Sequence, residues 1–246
     1  MGQSQAFTRG ERLGTVRQTN FVAGRDCKTM NASLNHRRPA AVTIEDYLER
    51  VSGRVLDWRL GIETRGYFPP QQLGIGDPNA QAYTPSLYPY AWKLLRMAQF
   101  VPHQDAFLEF GCGLGRVLVL ASRYPYSQVL GVESSAFLCA RARRNLQKAT
   151  ARQRCGSVTV VQSDARDFQV PDNATVVYFY NPFRGETLRK VIANVAESYQ
   201  RRPRALQLLV CNCADLIELT GSASWLERSH FSQSGSHSLC VFRAKA

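Results

Sequence analysis

Phe107-Leu108-Glu109-Phe110-Gly111-Cys112-Gly113-Leu114-Gly115 joins a short apolar run, residues 106–110, to a cluster of glycines. Residues 117–121 then read as a helix that Pro125 stops. This order is that of a strand turning into a helix at the end of an open α/β sheet, where nucleotide-like ligands bind. Glycine there lets the backbone approach a ligand and adopt positive φ. A tight turn needs glycine for purely structural reasons as well. The dinucleotide fingerprint wants a third glycine where Arg116 stands, which disfavours a nicotinamide cofactor.

The same alternation continues downstream. Apolar runs at 128–132, 158–161, 175–180 and 205–210 are separated by helical patterns at 137–149 and roughly 186–199. Short, wholly apolar strands between helices mark a parallel sheet covered on both faces. The chain ends differently: residues 225–231 and 237–243 read as two strands joined by a turn over 232–236. The expected fold is α/β, a three-layer sandwich around a mostly parallel seven-stranded sheet. An antiparallel hairpin closes it at the C-terminus, and N-terminal helices with a disordered arm precede it.

Upstream the pattern dissolves. Residues 1–40 are rich in Arg, Asn, Thr, Ser and Gln without apolar periodicity, which predicts a disordered basic arm. An organelle transit peptide and a mis-assigned start are the alternatives. Met1-Gly2 suggests myristoylation, but Ala6 stands where that motif wants Ser or Thr. Thr43 with Asp46 predicts a helix N-cap, Ile44, Tyr47, Leu48 and Val51 an apolar stripe, and Gly53 a nearby end. Residues 61–89 are dense in Gly, Pro and Gln yet carry Tyr67, Phe68, Tyr83 and Tyr88, which predicts an ordered loop, a lid over a site. The organisation expected is an arm at 1–40, helices and lid at 41–100, and a ligand-binding domain at 101–246.

The chain's 246 residues are 44% hydrophobic, enough for a core, and the formal net charge is +12 from 31 Lys+Arg against 19 Asp+Glu. No run approaches the ~18 apolar residues of a membrane span. Seven scattered cysteines with no secretory leader predict reduced thiols in the cytoplasm. Cys211-Asn212-Cys213 lacks the ligands that a zinc site would need, and a small hydrophobe at a buried strand end explains Cys211.

Two carboxylates give the glycine loop chemistry. Glu133 closes the second strand, where a carboxylate can accept from both hydroxyls of an adenosine ribose, and Ser134 follows it. Asp164, in Ser163-Asp164-Ala165, follows the third and can accept from an adenine amino group. Either alone is equally an exposed strand-end acid. Both, in order on successive strand ends beside the loop, point to a site.

At these residues the chain resembles the class I S-adenosylmethionine-dependent methyltransferases over roughly residues 84–244. Residues 107–115 resemble the family's first motif, Gly131-Val132-Glu133 its second and Ser163-Asp164-Ala165 its third. The resemblance implies S-adenosylmethionine as cofactor. Glu109 would face its methionine moiety, Gly111, Cys112, Gly113 and Gly115 would line it, Glu133 and Ser134 would hold the ribose, and Asp164 and Ala165 the adenine.

Tyr180-Asn181-Pro182-Phe183 resembles the Asn-Pro-Pro-Tyr/Phe motif of methyltransferases acting on amino nitrogens, without its second proline. It is similar too to the Asn-x-Phe of lysine methyltransferases of the disruptor-of-telomeric-silencing type. The resemblance implies catalytic roles for Asn181, Pro182 and Phe183 on an acceptor nitrogen. A proline-terminated strand with Phe183 in the core is the structural alternative. Tyr67, Tyr83, Tyr88, Tyr178 and Tyr180 are candidate pocket walls.

Arg141, Arg143, Arg144, Lys148, Arg152 and Arg154 form a run without an acid, with Arg141, Arg144, Lys148 and Arg152 on one helix face. A second group is Arg184, Arg189, Lys190, Arg201, Arg202 and Arg204. Either is a solvated face or a surface for nucleic acid or another anionic partner. The rival functions are a non-catalytic nucleic-acid-binding protein on this fold and a small-molecule O-methyltransferase.

Overall fold

In a computed structural model describing residues 44–221, 223–234 and 237–245, the apolar runs become seven strands of one sheet. They are β1 (Ala106–Phe110), β2 (Gln128–Glu133), β3 (Val158–Gln162), β4 (Ala174–Tyr180), β5 (Gln207–Cys211), β6 (Leu226–Ser234) and β7 (His237–Ala244). Their order is β3-β2-β1-β4-β5-β7-β6, parallel through β5, with β7 antiparallel to both neighbours.

Side chains alternate between two cores. Phe107, Val176, Tyr178, Leu209 and Val241 belong to one hydrophobic cluster. Leu108, Phe110, Val177, Phe179 and Leu208 belong to the other. Both faces of the central strands are therefore buried, which is why these strands read as continuous apolar runs instead of alternating ones. Helices α2 (Tyr88–Met97), α3 (Arg116–Ala121) and α4 (Ala136–Lys148) cover the first face, and α5 (Gly185–Arg201) with α6 (Ala214–Gly221) covers the second. The three-layer expectation holds.

Several expectations are corrected in detail. Helix α1 (Ile44–Leu60) does not end near Gly53, which is buried within it. A mid-helix glycine costs only about 1 kcal/mol, and the stop is Gly61, whose φ of +71° few other residues adopt. Helix α6 was not anticipated. The last hairpin is tighter than expected, because Ser234 pairs with His237 and residues 232–234 are strand. The α4 basic face ends at Lys148, and Arg152 sits on a separate 3-10 turn. Residues 1–40 and the Thr43 cap lie outside the described residues. Among the described residues no helix is long and apolar enough to cross a membrane.

One buried cation joins α1 and the following loop to the sheet. Arg116, the first residue of α3, donates through Nε to Thr64 Oγ1 (2.7 Å), through Nη1 to the Ser86 carbonyl (2.9 Å) and through Nη2 to Asp57 Oδ1 (3.3 Å). Both side chains of the Arg116–Asp57 pair are 4% exposed. The Asp57 carboxylate also accepts from the Thr64 amide and from the Tyr88 hydroxyl, and the guanidinium lies 4.2 Å from the Tyr88 ring centre.

Breaking a buried pair from one side strands the other charge. Asp57→Ala is therefore expected to destabilise the fold by about 3–5 kcal/mol, read as a shifted urea midpoint. Exposed Asp172→Ala, which loses its ion pair with Arg201 (side chains 40% and 38% exposed), should cost under about 1 kcal/mol. Equal effects would contradict this account.

Candidate active site

Strand order reverses between β1 and β4: β2 and β3 lie to one side of β1, and β4 and β5 to the other. Open α/β sheets form a crevice at such a switch, outside the carboxyl ends of the strands. A cleft of about 680 Å³ lies there, walled by the strand ends and by residues 73–86 of the loop.

The glycine loop forms its floor. Gly111 has φ +69°, and a Cβ on it would stand 2.5 Å from Pro182 Cβ, so the β1 and β4 ends meet at a spacing only glycine permits. Gly113, φ +53°, is covered by the Tyr83 ring, which a side chain there would overlap.

Glu109, Gly111, Cys112, Glu133, Ser134, Asp164, Ala165, Asn181, Pro182 and Phe183 all line the cleft. Gly113 and Gly115 do not. Gly113 donates its amide to Glu133 Oε2 (3.0 Å) beneath Tyr83, and Gly115 begins α3 against Ala142 of α4. Both glycines shape the loop from behind its surface.

The two floor carboxylates differ. Glu133, 7% exposed, accepts from the Gly113 amide and, at 2.9 Å, from the Ser135 amide. Burial raises its pKa, and those amides oppose the rise. Glu109, 3% exposed, has no such help: its Oε2 is buried without a hydrogen-bond partner. Burial, and then the nearby Glu133 charge, push the Glu109 carboxyl well above the usual carboxylate range.

Asp164 is bound instead to Arg166, which donates through Nε (3.0 Å to Oδ1), Nη2 (2.5 Å to Oδ2) and its own amide. That hydrogen bonding holds the Asp164 pKa below its ordinary value. Arg166, which also lines the cleft, was missed in the sequence; the Asp-x-Arg spacing was the available signal.

The strand-end motif splits. Asn181 takes a left-handed φ of +41°, which Asn tolerates better than most residues. The Pro182 carbonyl already accepts from the Gln81 amide (3.2 Å). Phe183 is 7% exposed and packs in the α5-side core, so it is not a free stacking ring; its backbone bridges Ala80 while its side chain turns inward. Of the candidate tyrosines, Tyr83 and Tyr180 line the cleft, Tyr88 and Tyr178 are fully buried, and Tyr67 is exposed.

The segment expected as a lid is a wall tied at several points. Thr187 Oγ1 donates to Asp77 Oδ2 (2.6 Å), the Arg184 amide to the Asn79 carbonyl (2.9 Å) and the Tyr83 hydroxyl to the Thr64 carbonyl (2.5 Å). Burial works against ionising Asp77, but hydrogen bonds from Thr187 and the Asn79 amide leave its pKa below the ordinary value. Among the described residues no three His, Cys, Asp or Glu side chains form a metal-binding group. Cys211 and Cys213 are both buried.

Residues 107–202 match a family model described as a methyltransferase domain. The fold is shared with an RNA methyltransferase from Salinibacter ruber solved with S-adenosyl-L-homocysteine, at 17% identity and a TM-score of 0.50 over 65% of this chain and 94% of that one. It is also shared with the putative methyltransferase yhhF from Escherichia coli, at 17% identity and a TM-score of 0.51 over 65% and 89%. No curated protein matches the chain. The chain thus carries a methyltransferase domain. The strand order, and the order of glycine and acidic motifs on the strand ends, are those that the resemblance to class I S-adenosylmethionine-dependent methyltransferases implies.

The residues present fit that cofactor. An unpartnered buried carboxylate oxygen on Glu109 suits a cationic group, and a carboxylate fixed by two amides at Glu133 suits vicinal hydroxyls.

Glu109 binds its proton more tightly in the fold than in the unfolded chain. Its contribution to stability is full below the ordinary value of 4.5 and is lost as pH rises toward the raised value. Glu109→Gln should remove this loss. Without ligand, the variant's melting temperature should gain on wild type as pH rises above the ordinary value of 4.5, with Glu133 leaving a residual slope in both. Parallel curves would refute the assignment.

Proposed function

We propose that the cleft transfers a methyl group to an acceptor nitrogen held at Asn181. The observation that supports this most directly is the contact of Pro182 with the Gly111 position, which puts Asn181 beside the glycine loop. When bound, S-adenosylmethionine supplies a methyl carbon on a sulfonium, a leaving group that needs no protonation.

The protein's task is therefore alignment, which contributes several kcal/mol by proximity alone. Glu109 would carry the cofactor's ammonium, Glu133 its ribose hydroxyls, and Asp164 its adenine amine, using the acceptor capacity that Arg166 leaves. Ser134 and Ala165 would flank ribose and adenine. The Asn181 amide oxygen accepts an N–H of the acceptor and turns the nitrogen lone pair toward the methyl carbon. Because the Pro182 carbonyl is engaged by Gln81, the side chain of Asn181 is the principal acceptor here. Tyr83 and Tyr180 flank the opening, and the wall of residues 73–86 excludes water.

Calorimetry with S-adenosylmethionine tests the cofactor half. Glu133→Ala should weaken binding by at least about tenfold, since hydrogen bonds to a charged group contribute about 1.5–3 kcal/mol. Binding that is absent in wild type, or unchanged in the variant, would sink it. For the acceptor half, methyl-labelled cofactor is incubated with fractionated lysate. Asn181→Ala should lower kcat by about 100-fold with the cofactor KM nearly unchanged. Label entering only hydroxyl oxygens of small molecules would replace this function by O-methylation.

A further inference from the structure

On α1, on the loop after it and on α4, large rings are exposed and basic residues stand near them in the sequence. Trp58, in the last turn of α1, is 80% exposed, Tyr67 is 67% exposed and Phe137, in the first turn of α4, is 49% exposed. Large apolar side chains are seldom this open without a use when they gather on one face.

Specific contacts join the elements that carry these rings. Glu63, just past α1, donates its amide to Asn145 Oδ1 of α4 (3.0 Å), and the Asn145 side-chain amide donates back to the Glu63 carbonyl (3.1 Å). The Phe137 ring lies 5.6 Å from Phe68, the neighbour of Tyr67, and Arg141 lies over Phe137 at 5.6 Å. Phe137 in turn follows Ser134, Ser135 and Ala136, which line the cleft.

Basic residues on the same elements are Arg54 and Arg59 on α1, Arg65 beyond it, and Arg141, Arg144 and Lys148 on α4. Glu63 lies 3.7 Å from Arg141 and 3.5 Å from Lys148 and offsets part of their charge. Val51 and Val55 extend the apolar side along α1.

We propose that this surface docks single-stranded nucleic acid, with bases stacked on Trp58, Tyr67 and Phe137 and phosphates on these arginines and Lys148. Unstacked bases offer flat apolar faces, and a strand carries a charge at every residue, so this polymer complements exposed rings with basic residues on the same elements. A duplex hides its faces. The inference extends the proposed transfer by naming the polymer that would carry the acceptor nitrogen. Its test reads binding without cofactor, so failure of docking and failure of methyl transfer are separate outcomes.

Titration of the full chain with an oligouridylate of about twelve nucleotides should quench tryptophan emission, because Trp58 is the most exposed of the three tryptophans. Trp58→Ala should abolish most of the quench and weaken binding, measured by anisotropy of a labelled strand, by about tenfold. Arg59→Gln with Arg144→Gln should lower the slope of log affinity against log salt by about 1.4. All variants should keep the wild-type melting temperature and S-adenosylmethionine affinity. Equal affinity for duplex and single strand, unchanged affinity in Trp58→Ala, or tighter binding to phosphatidylserine vesicles through the same residues would overturn the proposal.

Discussion

A guanidinium cannot be left alone in a protein interior, and Arg116 is the interior cation on which the cleft's architecture turns. It stands directly after Gly115, at the start of α3, so its backbone is part of the glycine loop. Its side chain reaches Asp57 on α1, Thr64 beyond α1 and the Ser86 carbonyl before α2. Withdrawing any of these would leave a charge or a donor without compensation at a site 4% exposed. The segment before the sheet is therefore fastened to the glycine loop by the same atoms that the loop needs neutralised. Tyr83 follows from this: with Thr64 held by Asp57 and Arg116, the Thr64 carbonyl receives the Tyr83 hydroxyl, and the ring comes to rest over Gly113.

Two glutamates on the floor illustrate how environment assigns work to one side chain. Glu133 has its charge anchored by amides from the loop and from the start of α4, so it can remain ionised while accepting from a neutral donor. Glu109 points to the same side of the sheet as Phe107 and Tyr178, among apolar neighbours and an acid. Ionised, it requires a cation, and the described residues place none on its Oε2. A methylsulfonium ligand with an ammonium group answers that need, and a neutral nucleotide would not. The pairing of an anchored acid with an unanchored one says more about the ligand than either motif does alone.

Much of this was legible in the chain because burial on both faces leaves a signature that survives without coordinates. The apolar runs of β1, β2, β4 and β5 could be no other element once helices alternated with them, and Glu109, Glu133, Asp164 and Asn181 stand at strand ends that those runs define. Illegible features depend on what meets across the fold. Gly53 looks like a stop, yet the helix that holds Asp57 for Arg116 must run through it. Phe183 can face a ligand or the core, and the bridge between its backbone and Ala80, a residue over a hundred positions earlier in the chain, accompanies the inward choice. Gly113 resembles a ligand contact until a tyrosine from the preceding loop covers it.

The same distinction governs the excess of positive charge. On the α5 side the arginines are largely absorbed by structure. Arg204 donates to the carbonyls of Ala174 and Ser198, Arg201 pairs with Asp172, and Arg189 pairs with Glu186. An arginine that caps strand and helix carbonyls can contribute as much to net charge as one that meets a phosphate, so the formal +12 cannot distinguish them. What separates the α1 and α4 face is its company. There Arg141 lies over the exposed Phe137 ring, and Trp58 and Tyr67 are exposed on the elements joined to it. Charge supplies long-range attraction for any polyanion. Exposed rings limit which polyanion can turn that attraction into contact, because stacking requires a flat face at each ring.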